Sequence, residues 1–566
     1  MTELSPSGSF DCAPELGIWG IHPILPNRAA SKYVKEQRSR QRRIRASYWE
    51  YLPLEIWAEI FIKCLPLRRD RRPVRKSPPF LLTQICRAWY RIVVELPQMW
   101  STIVLTTYTS ISSISDSALH SGARFLEMSI ARTKGAPVEL YLRAEFLSRT
   151  ASFDQIQRIS TRISHLTIIF PLTPSVYNED VRPTYFPRGG CLSMPNLRGI
   201  EVYNQEKHKA IASQDTSQLE HIIKSSYSLG CGIFCNRVPG INGPLILQNT
   251  SNIEILSIEE PIPLSVCFFL LQNIPTLQEL SLLKIVMHPE HAPVYEDQLL
   301  KSVLSALGIY QPFVHSRLQC LALAYCEGNP SSFFKLVTLP QLHYIVIDLR
   351  ADEKISWPQS DFMAFLQRSD CKLHSLTLID QPISSFQLLE ILRFPNVGDT
   401  IDSLSIQNYR DVECIFDESI LEQLTVEAGS GHERSQVCKD GGTPPPILCP
   451  SLEDVALFVP LENAVICKLV NMLKSRSLAQ MGGVSRTHPR KALRRIQMDF
   501  NPDLKPYLGD LRRAGLILRL YEQNQYDPSP IGMRQLAMLR KYLSGRGKCI
   551  VFEHVTGKWD GLLLDE

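Results

Sequence analysis

None of the fifteen cysteines forms a C-x-x-C pair; they are scattered from Cys12 to Cys549, and the closest spacing, Cys231 to Cys235, has no second pair nearby. An odd, scattered set fits buried thiols in a reducing compartment and argues against a disulfide framework. Net charge is also slight. With 61 Lys+Arg against 57 Asp+Glu the chain carries only +4, so whole-molecule attraction to nucleic acid is not indicated. No run approaches the roughly 18 apolar residues of a membrane span, and the opening MTELSPSGSFDCAPELG lacks the basic-then-apolar order of a secretory leader. These absences predict an intracellular, soluble chain, cytoplasmic or nuclear, with no membrane partner.

Catalytic signatures are missing as well. There is no GxSxG elbow and no cysteine locally marked as a nucleophile. The segment SGRGK (544–548) lacks the earlier glycine of a phosphate-binding loop. His288 and His291 are three apart, but Pro289 between them argues for a surface loop rather than a metal site. Asn249-Thr-Ser is a glycosylation sequon on paper only, given the intracellular expectation. The chain is therefore read as a non-enzyme with no catalytic residue, no metal and no cofactor.

What is present is uneven basic charge. Eight Lys/Arg face one acidic residue, Glu36, between Arg28 and Arg45, and six face one, Asp70, between Arg68 and Lys76. The run RSRQRRIR (38–45) reads as a solvated helix face, with nuclear import as the alternative. Aromatic residues are not interleaved with it, so nucleic acid is not an expected partner. Residues 1–47 read as a flexible basic tail, 48–104 as a compact block, 105–150 as a linker and cap marked by TTYTSISSISDS, and 525–566 as a tail or cap.

Between 151 and 524 a short motif recurs, apolar-x-x-apolar-x-apolar. It reads ISHLTI (163–168), LRGIEV (197–202), IEILSI (253–258), LQELSL (277–282), LQCLAL (318–323) and LHYIVI (342–347). It continues as LHSLTL (373–378), IDSLSI (401–406), LEQLTV (421–426), LEDVAL (452–457) and LRRIQM (493–498). Helix-like patterns lie between copies at 264–274, 295–310, 360–369 and 383–394, and 507–521 reads as a final helix and strand. A lone strand–helix unit cannot cover its own apolar face, so neighbours must stack. The copies resemble leucine-rich repeats of an irregular form, in which the usual Asn or Cys is mostly missing and Ala324-Tyr325-Cys326 is a near match. The alternative is an ordinary α/β domain, whose buried parallel strands also read as short apolar runs. The expected class is α/β, an irregular solenoid of short parallel strands and helices behind a small helical module.

In that module LPLEIWAEIFIKCLP (52–66) starts a helix at Pro53, with Glu55 in the first turn. Ile56, Ile60 and Cys64 share one face, and Trp57, Phe61 and Leu65 the adjacent one. So short a helix buries one face on its own block, and the other calls for something outside it. Leu82, Ile85, Trp89 and Ile92 follow at helical spacing, then Pro97 and Trp100. LPxEI at 52–56, QICRAW (84–89) and PxxW (97–100), in that order, resemble an F-box of the fungal type, here with a basic insert at 67–79. The resemblance implies a three-helix module that docks a Skp-type adaptor and, through it, a cullin–RING ubiquitin ligase. It assigns adaptor contacts to Leu52, Pro53, Glu55, Ile56, Ile60, Phe61, Leu82, Ile85 and Trp89. The repeats would then bind a target protein through outward strand residues, for which Glu201, Glu279, Gln319, His343, His374 and Glu453 are the candidates. The alternative is a ligase-independent repeat scaffold.

Overall fold

Each copy of the motif ends in apolar residues two apart, the period of a strand whose successive side chains point to opposite faces. The computed structural model describes residues 36, 52–65, 78–105, 116–171, 184–205, 211–235, 252–286, 312–323, 330–348, 357–379, 383–407, 417–425, 448–459, 463–478, 492–499, 502–513 and 516–521. The copy at 342–347 forms the strand Tyr344–Asp348. Its Ile345 lies level with Leu321 and Leu376 in the neighbouring strands, and Ile347 with Leu323 and Leu378. All six are buried and belong to one apolar core that runs from Ile103 to Leu516.

This register repeats along the chain. Among the described residues, fourteen strands, from Thr102–Leu105 to Ile517–Tyr521, form one open sheet in which every pairing is parallel and follows chain order, and only the two-residue strands Phe313–Val314 and Val337–Thr338 pair apart. Parallel neighbours need a crossover connection, and helices supply several of them. Leu264–Asn273, Gln359–Ser369 and Ser385–Arg393 form where the periodicity predicts. Ser385–Arg393 starts in a capping box: the Ser384 hydroxyl accepts from the Gln387 N–H, and Gln387 Oε1 accepts from the Ser384 N–H. The architecture is mixed α/β with a large open parallel sheet, an arrangement compatible with a solenoid.

Ahead of the strands the ladder extends by one residue. The His343 carbonyl accepts from the N–H groups of His374 and Ser375 at 2.8 and 3.0 Å. The His374 carbonyl accepts from Asp402 and Ser403, and the Asp402 carbonyl from Glu453 and Asp454. Arg198, Gly230, Glu254, Gln278, Gln319, His343, His374, Asp402, Glu453 and Arg494 therefore form a row along the rim where the strands begin.

Arginines tie successive layers on the helical side. Arg162 donates to the Ala136 carbonyl at 3.0 Å and Arg368 to Val337 at 2.9 Å. Arg476, almost fully buried, donates to the carbonyls of Leu424, Leu448 and Cys449. Burial pulls its pKa down to about 10, so it remains charged at neutral pH.

The structure corrects the expected organisation in three places. LEQLTV (421–426) is not a strand: Glu418–Leu424 is a helix, because Asp417 caps it by accepting from the N–H groups of Ser419 and Ile420. Its Ile420, Leu421 and Leu424 bury one helical face, a spacing the motif shares. The sheet also begins earlier than residue 151, with Thr102–Leu105 inside the expected module and Val138–Arg143 inside the expected cap. Finally, Cys231–Cys235 is a strand although Gly232 stands in the inward column between Ile200 and Leu256. The Phe234 ring lies 3.0 Å from where a Gly232 Cβ would be and takes up that space. The tail 1–47, the insert 67–77, the pattern 295–310, His288, His291, Asn249, Ala324–Cys326 and residues 522–566 lie outside the described residues, Glu36 excepted. No helix among the described residues is long and apolar enough to cross a membrane.

His315 gives the fold a measurable pH dependence. It is 3% exposed; its Nδ1 accepts from the Leu318 N–H at 3.2 Å, which leaves Nε2–H to donate to the Ile274 carbonyl at 3.0 Å. Desolvation by burial lowers its pKa from the ordinary 6.5. The unfolded chain therefore takes up the proton first as pH falls, so stability present above 6.5 is lost on acidification. Thermal melts at about pH 7.5 and about pH 5.5 should show a smaller drop for His315→Gln than for the wild type; equal drops would refute the assignment.

Candidate interaction surfaces

The module's motifs each do a local structural job. Helix α1 (Leu54–Cys64) follows Pro53, whose carbonyl accepts from the N–H groups of Ile56 and Trp57. Pro53 thus stands at the cap rather than at the first helical position expected for it, and the helix starts one residue later, with Glu55 exposed in the first turn. Helices α2 (Phe80–Ile85) and α3 (Arg87–Glu95) are separated by Cys86, whose sulfur caps α3 by accepting from the Trp89 N–H. Pro97 opens a 3-10 turn that returns Trp100 beneath α3, where its indole N–H donates to the Val93 carbonyl at 2.9 Å. QICRAW and PxxW are in this way a cap and a turn.

Their effect is a small closed core. Phe61, Leu82, Val93, Met99 and Trp100 are buried together, with Trp57, Leu65, Phe80, Trp89 and Ile92 packed against them. The Trp89 ring lies 4.8 Å from Phe61 and 5.9 Å from Trp57, centroid to centroid. Phe80 meets both Trp100 and Phe125 at 5.7 Å, and the Arg132 guanidinium lies 4.2 Å over the Trp100 ring. The block is thereby seated on the helix Asp116–Arg132 beside the first strand.

Three expected adaptor contacts belong to this core. Phe61 is 0% exposed and Leu82 is buried, so neither forms an external surface, and Trp89 is half-buried among the rings. Leu52, Pro53 and Glu55 are exposed, as are Ile56 at 45%, Ile60 at 39% and Ile85 at 51%. The division into an inward face of Trp57, Phe61 and the C-cap Leu65, of which Phe61 is fully buried, and an outward Ile56/Ile60/Cys64 face follows helical spacing. Leu54, Ile62 and Leu81 are exposed too and were not anticipated. Leu81 stands four residues before Ile85, a pairing visible in the sequence once the short α2 is placed.

The expected target positions fall on three different rows. Glu201 stands at the middle of its strand, level with Thr167 and Ile233, and its carboxylate accepts from the Tyr203 hydroxyl at 3.1 Å. Glu279 begins its strand and is buried, so it offers little surface. Gln319, His343, His374 and Glu453 share the rim row ahead of the strands and are half-buried. From Ser257 to Thr377 the strand centres are nearly closed, Ser281, Ala322 and Val346 between them being buried too, whereas Ser405, Ala456 and Gln497 further along are half-buried.

Chemistry gathers at one part of the rim. The His343 and His374 rings are 5.2 Å apart, with the Tyr344 ring 6.4 and 6.5 Å from them. His343 Nδ1 lies 3.1 Å from the Lys372 carbonyl; His374 Nδ1 lies 3.2 Å from the Thr400 carbonyl and 3.7 Å from Asp402 Oδ2. Burial raises the Tyr344 hydroxyl above the usual phenol range, helped by Asp402 and Cys320, so the ring stays neutral. Further along, Arg494 reaches Glu453 at 3.2 Å and Arg495 reaches Asp454 at 3.7 Å. Among the described residues no group of three or more His, Cys, Asp or Glu is placed to hold a metal ion.

The two faces of α1 should separate in denaturation followed by tryptophan fluorescence. Phe61→Ala should cost about 3–5 kcal/mol, whereas Ile56→Ala with Ile60→Ala should stay within about 1 kcal/mol; comparable losses would mean the outward face is covered in the free chain. Compared with known proteins, the chain matches no family model and no curated relative.

Proposed function

We propose that this chain is a non-catalytic substrate receptor of a Skp–cullin–F-box ubiquitin ligase, acting in the cytoplasm or nucleus. The observation that carries this reading is the apolar face left by α1 and α2. The block closes its own core with Phe61, Leu82, Val93, Met99 and Trp100, yet Leu52, Ile56, Ile60, Leu81 and Ile85 remain exposed beside it. Single exposed apolar residues are ordinary, but several on short helices that share one small core mark a place where another surface is covered. The F-box resemblance of 48–104 supplies the partner, a Skp-type adaptor.

The open parallel sheet supports the second half of the reading, an irregular leucine-rich-repeat array that holds a target protein. The contribution to ubiquitin transfer is positional. Holding a target lysine near the charged enzyme raises its effective concentration, and no residue of this chain takes part in the chemistry. The second reading is a repeat scaffold that uses the adaptor without the ligase.

A capture experiment tests this with the full chain and a purified Skp-type adaptor. Ile56→Ala with Ile60→Ala, which leaves the core residues in place, should weaken capture at least about tenfold, as should Leu52→Ala with Pro53→Ala. A folded wild-type chain that does not bind the adaptor would end the ligase reading. Recovery of the cullin along with the adaptor separates receptor from scaffold.

A further inference from the structure

Between Ser257 and Thr377, where the strand centres are buried, the accessible part of the sheet is its rim, and that rim has one chemically distinctive stretch. We propose that His343, Tyr344, His374 and Asp402 form a subsite for an arginine side chain presented by a protein partner. The inference rests on the reading that the sheet receives a protein target, though not on the docking of α1.

Hydrogen bonding shows what the imidazoles present outward. With Nδ1 within 3.1 and 3.2 Å of the Lys372 and Thr400 carbonyls, the neutral form of each ring would donate its Nδ1 proton to that carbonyl and carry its lone pair on Nε2. The Asp402 carboxylate, alongside His374, adds acceptor oxygens. The result is a set of acceptors next to three aromatic faces whose centroids lie 5.2–6.5 Å apart.

Charge sign agrees. On the rim from Gly230 to Asp402, and at the first and third positions of the strands from Cys231–Cys235 to Ser403–Gln407, no Lys or Arg occurs, while Glu254, Glu279 and Asp402 do. The exposed Arg317 and Lys372 each stand two residues outside the row. The acidic character continues to Glu453 and Asp454, and the sign changes only at Arg494 and Arg495, which reach back to them. An anionic partner such as a phosphopeptide is thus disfavoured at the centre of the rim.

Among cations, the guanidinium fits best. It carries five N–H donors spread in a plane and stacks on aromatic faces, whereas an ammonium is a compact, strongly hydrated point charge. The strand centres beneath are filled by buried small residues such as Ser257, Ser281 and Ala322. A partner side chain therefore meets the rim rather than the middle of the sheet.

The test selects binders to the full chain from a library of short random peptides. It then measures the best arginine-containing peptide by fluorescence anisotropy, beside versions with citrulline or lysine at that arginine. Citrulline keeps the shape and removes the charge, and its use leaves the protein unaltered. Selected peptides should be enriched in arginine; citrulline should weaken binding at least about tenfold, near 1.4 kcal/mol, and lysine should bind more weakly than arginine. Asp402→Asn, and His343→Ala with His374→Ala, should cost a similar factor in chains whose melting is unchanged, while Glu254→Gln at the far rim should cost less than about threefold. Equal binding of arginine and citrulline, or of arginine and lysine, would overturn the subsite. So would selection without arginine enrichment. Adaptor capture by the same preparation reports separately on α1, so intact capture with no arginine preference would sink this proposal alone.

Discussion

The in-register parallel ladder is the constraint on which the rest depends. Side chains alternate across a strand with period two, so a slip of one residue would turn Ile345 and Ile347 outward and bury Tyr344 and Val346 toward the helices. Register is enforced because the inward columns share one apolar core, and no strand–helix unit can close that core alone. Burying apolar surface at roughly 25 cal/mol per Å² makes each slipped unit costly. The rim row is a by-product of the same ladder. The strands begin to pair one residue early, and this brings His343, His374 and Asp402 side by side from positions 28 to 59 residues apart.

The N-terminal block shows a different solution to burial. Three short helices and a 3-10 turn enclose a few large side chains, and the tryptophans do most of the filling. Trp89 is locked by the Cys86 cap and by Phe61, and Trp100 by its bond to the Val93 carbonyl. Because Arg132 covers Trp100 and Phe125 meets Phe80, both from the helix Asp116–Arg132, the exposed face of α1 is carried on a packed junction. For the receptor role we propose, such a junction would keep adaptor and target at a defined separation.

Much of this was legible from local pattern. Ten of the eleven motif copies lie on strands, since apolar residues two apart ahead of a polar break mark a half-buried strand directly. The copy at 421–426 misled because apolar-x-x-apolar also suits a helix, and Asp417 tipped that segment toward the helix. Cys231–Cys235 was illegible for the opposite reason: Gly232 stands where the motif needs an apolar residue, and the Phe234 ring fills the gap. On α1 the two faces were readable from spacing. That Phe61 and Leu82 belong wholly inside could be seen only when α2 and α3 closed over them.

The sequence by itself determined the repeat character, the places of most strands, the caps and turns of the block, and the existence of an outward apolar face, because each is written in residues close together in the chain. Only the tertiary structure decided where the sheet begins, which large side chains close the block, and which polar residues become neighbours on the rim. His343, Tyr344, His374 and Asp402 come from three layers of the sheet. Their meeting depends on strand register and crossover length, and these are set by packing of the shared core rather than by any local signal.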